Sequence, residues 1–133
     1  MNRLEKTFQD LDLKGERAFI PFLVAGDPDP GTFMKLAKAI EPFADIIEFG
    51  IPYTDPIADG EIIQAANARA LASGITFTKA CDLIAMVRRL TEKPIVVLTY
   101  GNVVGIGKVM EESLSRFNLS GIDGLIIADV PLE

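Results

Sequence analysis

The sequence predicts an α/β fold built on a parallel sheet, and three features of the chain predict it. Four short apolar runs recur, at residues 18–26, 45–50, 94–100 and 124–129, crowded with β-branched and aromatic side chains. Between them lie stretches with apolar residues at helical 3-and-4 spacing, long enough to carry the chain back to a parallel neighbour. Each run also leads into Asp, Asn, Tyr, Gly or Pro, so polar groups collect at one edge of the sheet. Strands and helices alternating at this spacing make right-handed crossovers, in an open doubly wound sheet or in a barrel. Both architectures place their sites at the C-terminal ends of the strands.

A helix comes first. Asn2 and Glu5 have the spacing of a capping box, Leu4, Phe8 and Leu11 share a face, and Gly15 ends it. The run AFIPFLVAG is the first strand, and Pro21 within it marks a bulge or an edge. Asp29 caps the next helix with Pro30 at its first position, and Phe33, Leu36, Ala37 and Ile40 form its stripe before Pro42. The second strand, DIIEFG, is closed by Gly50-Ile51-Pro52. An Ala-rich helix, EIIQAANARALASG, follows with Gly74 as its C-cap, and Thr76 caps another carrying Phe77, Ala80, Cys81, Ile84 and Val87. The third strand is PIVVLTY, followed by a loop made flexible by Gly101, Gly105 and Gly107. A helix from about Lys108 carries Val109, Met110, Leu114 and Phe117, and GLIIAD is the fourth strand. One domain over residues 1–133 accounts for all of this, since domains cluster around 100–150 residues.

Composition narrows the chemistry. The net charge is −6 without a broad Lys/Arg cluster, which argues against a nucleic acid or an anionic membrane as partner. A phosphorylated ligand would have to be held by local N–H groups instead. There is no His, so His-based metal sites, Ser-His triads and Cys-His pairs are all excluded, and proton transfer falls to Asp, Glu, Tyr or Lys. Cys81 is alone and sits in an apolar helical pattern, as a small core residue does. The N-terminus has no secretory apolar region, and no run approaches the 18 or so residues of a membrane span, so a cytoplasmic protein is expected. Neither GxGxxG nor GxxxxGK[ST] occurs. The lysines avoid the C-terminal ends of the strands, which gives a Schiff-base aldolase no support.

What remains is carboxylate chemistry. Glu48 lies inside the second strand, where an ionised group must find a partner or keep its proton through a raised pKa. A raised pKa suits acid/base work near neutrality; alternatively, Glu48 is a strand-end residue reaching solvent or a neighbouring N–H. Side-chain alternation puts Ile46 with Glu48 and Ile47 with Phe49, a pattern that fits a strand covered on both faces. Asp59 follows in a loop dense in Asp, Pro and Gly. Glu48, Asp55, Asp59 and Asp129 could together offer oxygen ligands to magnesium, but none has the spacing of a calcium loop, and no metal is assigned.

The segments FIPFLVAGDPDP, DIIEFGIPYTDPIADGEIIQAANARALASG, VLTYGN and GIDGLIIADVPLE resemble the tryptophan synthase alpha subunit family over nearly the whole chain. The resemblance implies a (β/α)8 TIM barrel, of which this chain matches the N-terminal half: the first helix and strands one to four. It also implies retro-aldol cleavage of indole-3-glycerol phosphate to indole and glyceraldehyde 3-phosphate without a cofactor. Pyridoxal phosphate is expected only on a beta subunit partner, to which the indole passes through a tunnel. Glu48 matches the family's general acid/base, and Asp59 matches the carboxylate that stabilises positive charge on the indole nitrogen. Phe22 and Tyr100 match residues lining and flanking the indole pocket, and Pro52 and Asp55 belong to the loop facing the beta subunit.

Phe49, Tyr53 and Thr54 stand where Leu, Phe and Ser are more usual. The larger departure is length, because such a barrel takes about 250 residues and binds phosphate after its last strands. A half barrel would leave two sheet edges and an apolar inner face open, which predicts self-association. The other function implied is then a catalytically silent half barrel that docks a beta subunit or a second copy of itself.

Overall fold

The computed structural model describes residues 1–131. Among these residues six α-helices and four strands follow one another in the order α1 Arg3–Lys14, β1 Phe22–Val24, α2 Pro30–Ile40, β2 Ile47–Gly50, α3 Glu61–Ala72, α4 Phe77–Arg88, β3 Ile95–Thr99, α5 Gly101–Val104, α6 Lys108–Leu119 and β4 Gly124–Ile127. The four strands form one parallel sheet in the order β1-β2-β3-β4. No reversal of order occurs among the described strands, and an open doubly wound sheet requires one. The winding is that of a barrel wall.

Helix starts follow their side-chain chemistry. Asn2 and Glu5 form the reciprocal capping box of α1, Asp29 accepts the Thr32 N–H at the start of α2, and Thr76 accepts the Lys79 N–H at the start of α4. The helix α3 is capped at Ser73, one residue before the predicted cap Gly74, which follows at φ +86°. Two segments differ from the sequence reading more substantially. The glycine-rich segment after β3 contains a short helix, α5, because Asp129 on the next unit accepts the Gly101 N–H at 2.6 Å and supplies a cap from outside the segment. The predicted stripe of α6 is mostly exposed at Val109, Met110 and Leu114; only Phe117 of that stripe is buried.

The core lies between the sheet and the helices on one face. Ile47, Phe49, Ile95 and Val97 are fully buried there, with Phe33 of α2 edge-on to Phe49 at 5.4 Å and Phe77 edge-on to Phe117 at 5.2 Å. Residues of the alternate set, Phe22, Glu48, Val96 and Leu98, face the concave side and are half-buried, while Ile126 in register with them is exposed. Glu48 was expected on a strand covered on both faces; among the described residues, helices cover one. At the opposite end of the strands, α1 closes the bottom: Arg3 reaches Asp123 at 3.1 Å and Glu92 at 3.2 Å. The observed strands are shorter than the apolar runs because Pro21 cannot donate and because Ala128 and Asp129 turn away. Leu132 and Glu133, the end of the fourth quoted motif, lie outside the described residues.

Candidate active site

Glu48 reaches the concave face from the middle of β2. Its Cα is in register with Phe22 of β1 and with Val96 of β3, so apolar side chains stand on both sides of it. No hydrogen bond to its carboxylate is found among the described residues. Burial against these neighbours, uncompensated by a charge, raises its pKa above the ordinary carboxylate range. A carboxyl whose neutral form is favoured in this way is suited to giving and taking a proton.

The Phe22 ring extends over Gly50: a Cβ at that position would lie 2.7 Å from the ring's Cζ. Gly50 therefore does more than end the strand, because its missing side chain leaves room for the ring beside Glu48.

Asp59 arrives at the same edge from the loop between β2 and α3. Tyr100, at the end of β3, donates its hydroxyl to Asp59 Oδ2 at 3.0 Å and accepts the Ala58 N–H at 3.1 Å. The Asp59 carbonyl accepts the Gln64 side chain at 2.8 Å. Tyr100 is buried, and this burial raises its phenol above the usual value; the Ala58 N–H opposes the rise, and the Asp59 and Asp129 carboxylates add to it. Pro52 is buried at the start of the loop, and Asp55 is exposed further along it. Among the described residues, no three acidic or Cys side chains come together as metal ligands, so the four carboxylates weighed for magnesium do not converge.

The structure thus brings Phe22 beside Glu48 and ties Asp59 to Tyr100. Three contributors were not legible in advance. Asn67, buried in α3, accepts the Tyr53 N–H at 2.9 Å and donates to the Ile63 carbonyl at 2.9 Å; an Asn among alanines was the available signal. The Tyr53 ring stacks on Tyr100 with centroids 5.0 Å apart and planes 26° apart. Asn102 donates to the Tyr53 hydroxyl at 2.9 Å, a contact between residues far apart in sequence that no local pattern announces.

Consecutive strand order puts the chain in the (β/α)-barrel class, in which the C-terminal edge of the sheet is the working edge. Within that class, the chain belongs to the tryptophan synthase alpha chain family, whose model matches residues 8–133. A tryptophan synthase alpha chain from Caldanaerobacter subterraneus subsp. tengcongensis is 48% identical over 137 residues, covering 100% of this chain and 51% of the relative. A solved structure from Aquifex aeolicus VF5 superposes with a TM-score of 0.90 at 35% identity, covering 99% of this chain and 53% of that one. A Pyrococcus furiosus structure, described as showing mutual activation of the tryptophan synthase α2β2 complex, superposes with a TM-score of 0.79 at 38% identity, covering 86% and 46%. The chain spans about half the length of the relatives it matches. No single helix among the described residues is long and apolar enough to cross a membrane.

Proposed function

We propose that this chain carries the acid/base part of a lyase site that cleaves indole-3-glycerol phosphate to indole and glyceraldehyde 3-phosphate. The observation that carries the reading is the Glu48 carboxyl, desolvated on the concave face beside Phe22. In its protonated form Glu48 delivers a proton to indole C3, giving the indolenine with positive charge at the ring nitrogen. Asp59, fixed at the same edge by Tyr100, stabilises that charge. The carboxylate left on Glu48 then takes the proton of the glycerol hydroxyl next to the scissile bond. As the hydroxyl oxygen becomes the aldehyde oxygen, the carbon–carbon bond breaks and its electron pair returns to the ring, restoring indole. Phe22 and Tyr100 supply apolar surface for the indole, and no cofactor enters these steps.

The partner in this reading is a tryptophan synthase beta subunit, docked on the loop that holds Pro52 and Asp55, in the cytoplasm. The similarity to the Pyrococcus furiosus tryptophan synthase α2β2 complex supports that assembly. A second reading, a silent half barrel that acts by docking or self-association, is supported by the exposed Ile126 on the inner face and by β1 and β4 each pairing on one side among the described residues.

The test is indole release from indole-3-glycerol phosphate by this chain, with and without a beta subunit, beside Glu48→Gln. Release that disappears in the variant supports the lyase reading. A folded, silent chain with an altered sedimentation coefficient at higher concentration supports the second.

A further inference from the structure

We propose that Tyr53 and Asn102 are positioning residues for the Asp59 carboxylate: Asn102 anchors the Tyr53 ring by its hydroxyl, and that ring clamps Tyr100, whose own hydroxyl holds Asp59. The role of Asp59 rests on the function proposed above, whereas the clamp rests on geometry alone.

The clamp has two sides. On one, the Tyr53 N–H is fixed by the buried Asn67, so the backbone at the root of the loop is tied to α3. On the other, the Tyr53 ring lies against Tyr100, and its hydroxyl accepts the Asn102 amide from α5. A stacked pair of rings without that bond can slide, because stacking has no strong in-plane restoring force. The bond removes the freedom at the ring's far end. Tyr100 is thereby held where its single hydroxyl can accept from Ala58 and donate to Asp59 together. The helix carrying Asn102 is itself fixed by Asp129 at the Gly101 N–H. Two hydrogen bonds and one ring stack therefore connect an exposed amide to the carboxylate. The tyrosine hydroxyl is indispensable to the chain of contacts, since phenylalanine keeps the stack and loses the anchor.

The sequence makes the test direct, because Tyr53 and Tyr100 are the only tyrosines and there is no Trp. Tyrosine ring-carbon NMR resolves the ionisation of Tyr100, which faces the Asp59 and Asp129 carboxylates and the Ala58 N–H. In Tyr53→Phe and in Asn102→Ala, the Tyr100 midpoint is expected to fall toward that of a free tyrosine as its hydroxyl leaves Asp59. The double variant Tyr53→Phe/Asn102→Ala is expected to move it no further than either single change, because both remove the same bond. Tyr53→Phe preserves the packed ring, so it tests the bond even if Asn102→Ala does not fold. An unchanged Tyr100 midpoint in Tyr53→Phe, or additive shifts in the double variant, overturns the clamp. Because the readout is ionisation rather than turnover, loss of the lyase reading leaves this result standing, and the reverse.

Discussion

Phe22 and Glu48 occupy the same level of the sheet on adjacent strands, their Cα atoms in register and the Phe22 ring reaching over Gly50. An aromatic ring removes water from a carboxyl without offering it a strong hydrogen bond, so the pair favours the neutral acid. Gly50 completes the arrangement by giving the ring its space.

That relationship has a signed consequence for stability. The folded-state pKa of Glu48 is raised, so its neutral form contributes stability that is present below the unfolded carboxyl pKa and is lost as pH rises through the folded value. Glu48→Gln is therefore expected to gain stability relative to the parent between pH 4 and pH 7, roughly the span from an ordinary carboxyl to neutrality. Urea midpoints of both proteins at the two pH values check it. In a catalytically competent assembly the same variant loses turnover by about 10²–10⁴-fold, the usual worth of a general acid/base.

Gly26 sits at φ +83°, and an added Cβ would meet Ile75 Cδ1 at 2.6 Å. Gly26→Ala combines left-handed strain with overpacking and is expected to cost about 1–3 kcal/mol. Adding Ile75→Ala removes both the Cγ1 and the Cδ1 that the new Cβ meets, so the coupling between the two changes, read from denaturant titration of the three variants, separates the packing part from the backbone part.

The two arginines that meet Asp123 are not equivalent. Arg88, with 13% of its side chain exposed, donates to Asp123 at 3.1 Å and to the carbonyls of Gly121, Thr91 and Lys93. Arg3, with 45% exposed, reaches the same carboxylate from α1. Arg88→Met leaves three carbonyls and part of a buried carboxylate without their donor and should destabilise by about 3–5 kcal/mol. A much smaller loss is expected for Arg3→Met, because water replaces an exposed cation. Thermal melts of both variants distinguish them.

Cys81 is buried, and burial pushes its thiol up to about 11. Its thiolate is scarce at pH 8, and a disulfide reagent has no path to it in the folded chain. Labelling at pH 8 should proceed only as fast as the core opens and accelerate sharply past the urea midpoint. Rapid labelling without denaturant would contradict a closed α4 face.

Much of the fold could be read from local patterns. The caps at Asn2, Asp29 and Thr76 appear where side-chain spacing put them, and the buried stripe of α4 matches its periodicity. Strand limits were less legible, because an apolar run continues past the last ladder bond and hydropathy does not record pairing. The α6 stripe was misleading for a related reason: periodicity identifies an apolar face without saying that something covers it. Glu48 and Asp59 stood out as acids in a strand and in a turn-rich loop. The connections around them did not, since Tyr100 to Asp59 and Asn102 to Tyr53 join distant parts of the chain. The helix α5 was hidden for the same physical reason, its cap being supplied by Asp129.

Every described strand pairs only with strands adjacent to it in the sequence. During synthesis the sheet can therefore grow in the order in which the ribosome delivers it, each new strand finding a finished edge already waiting. No strand must be held unpaired until a later one slips in between, as an order with a reversal would require. The arrangement that gathers the carboxylates at one edge also lets the wall be laid one course at a time.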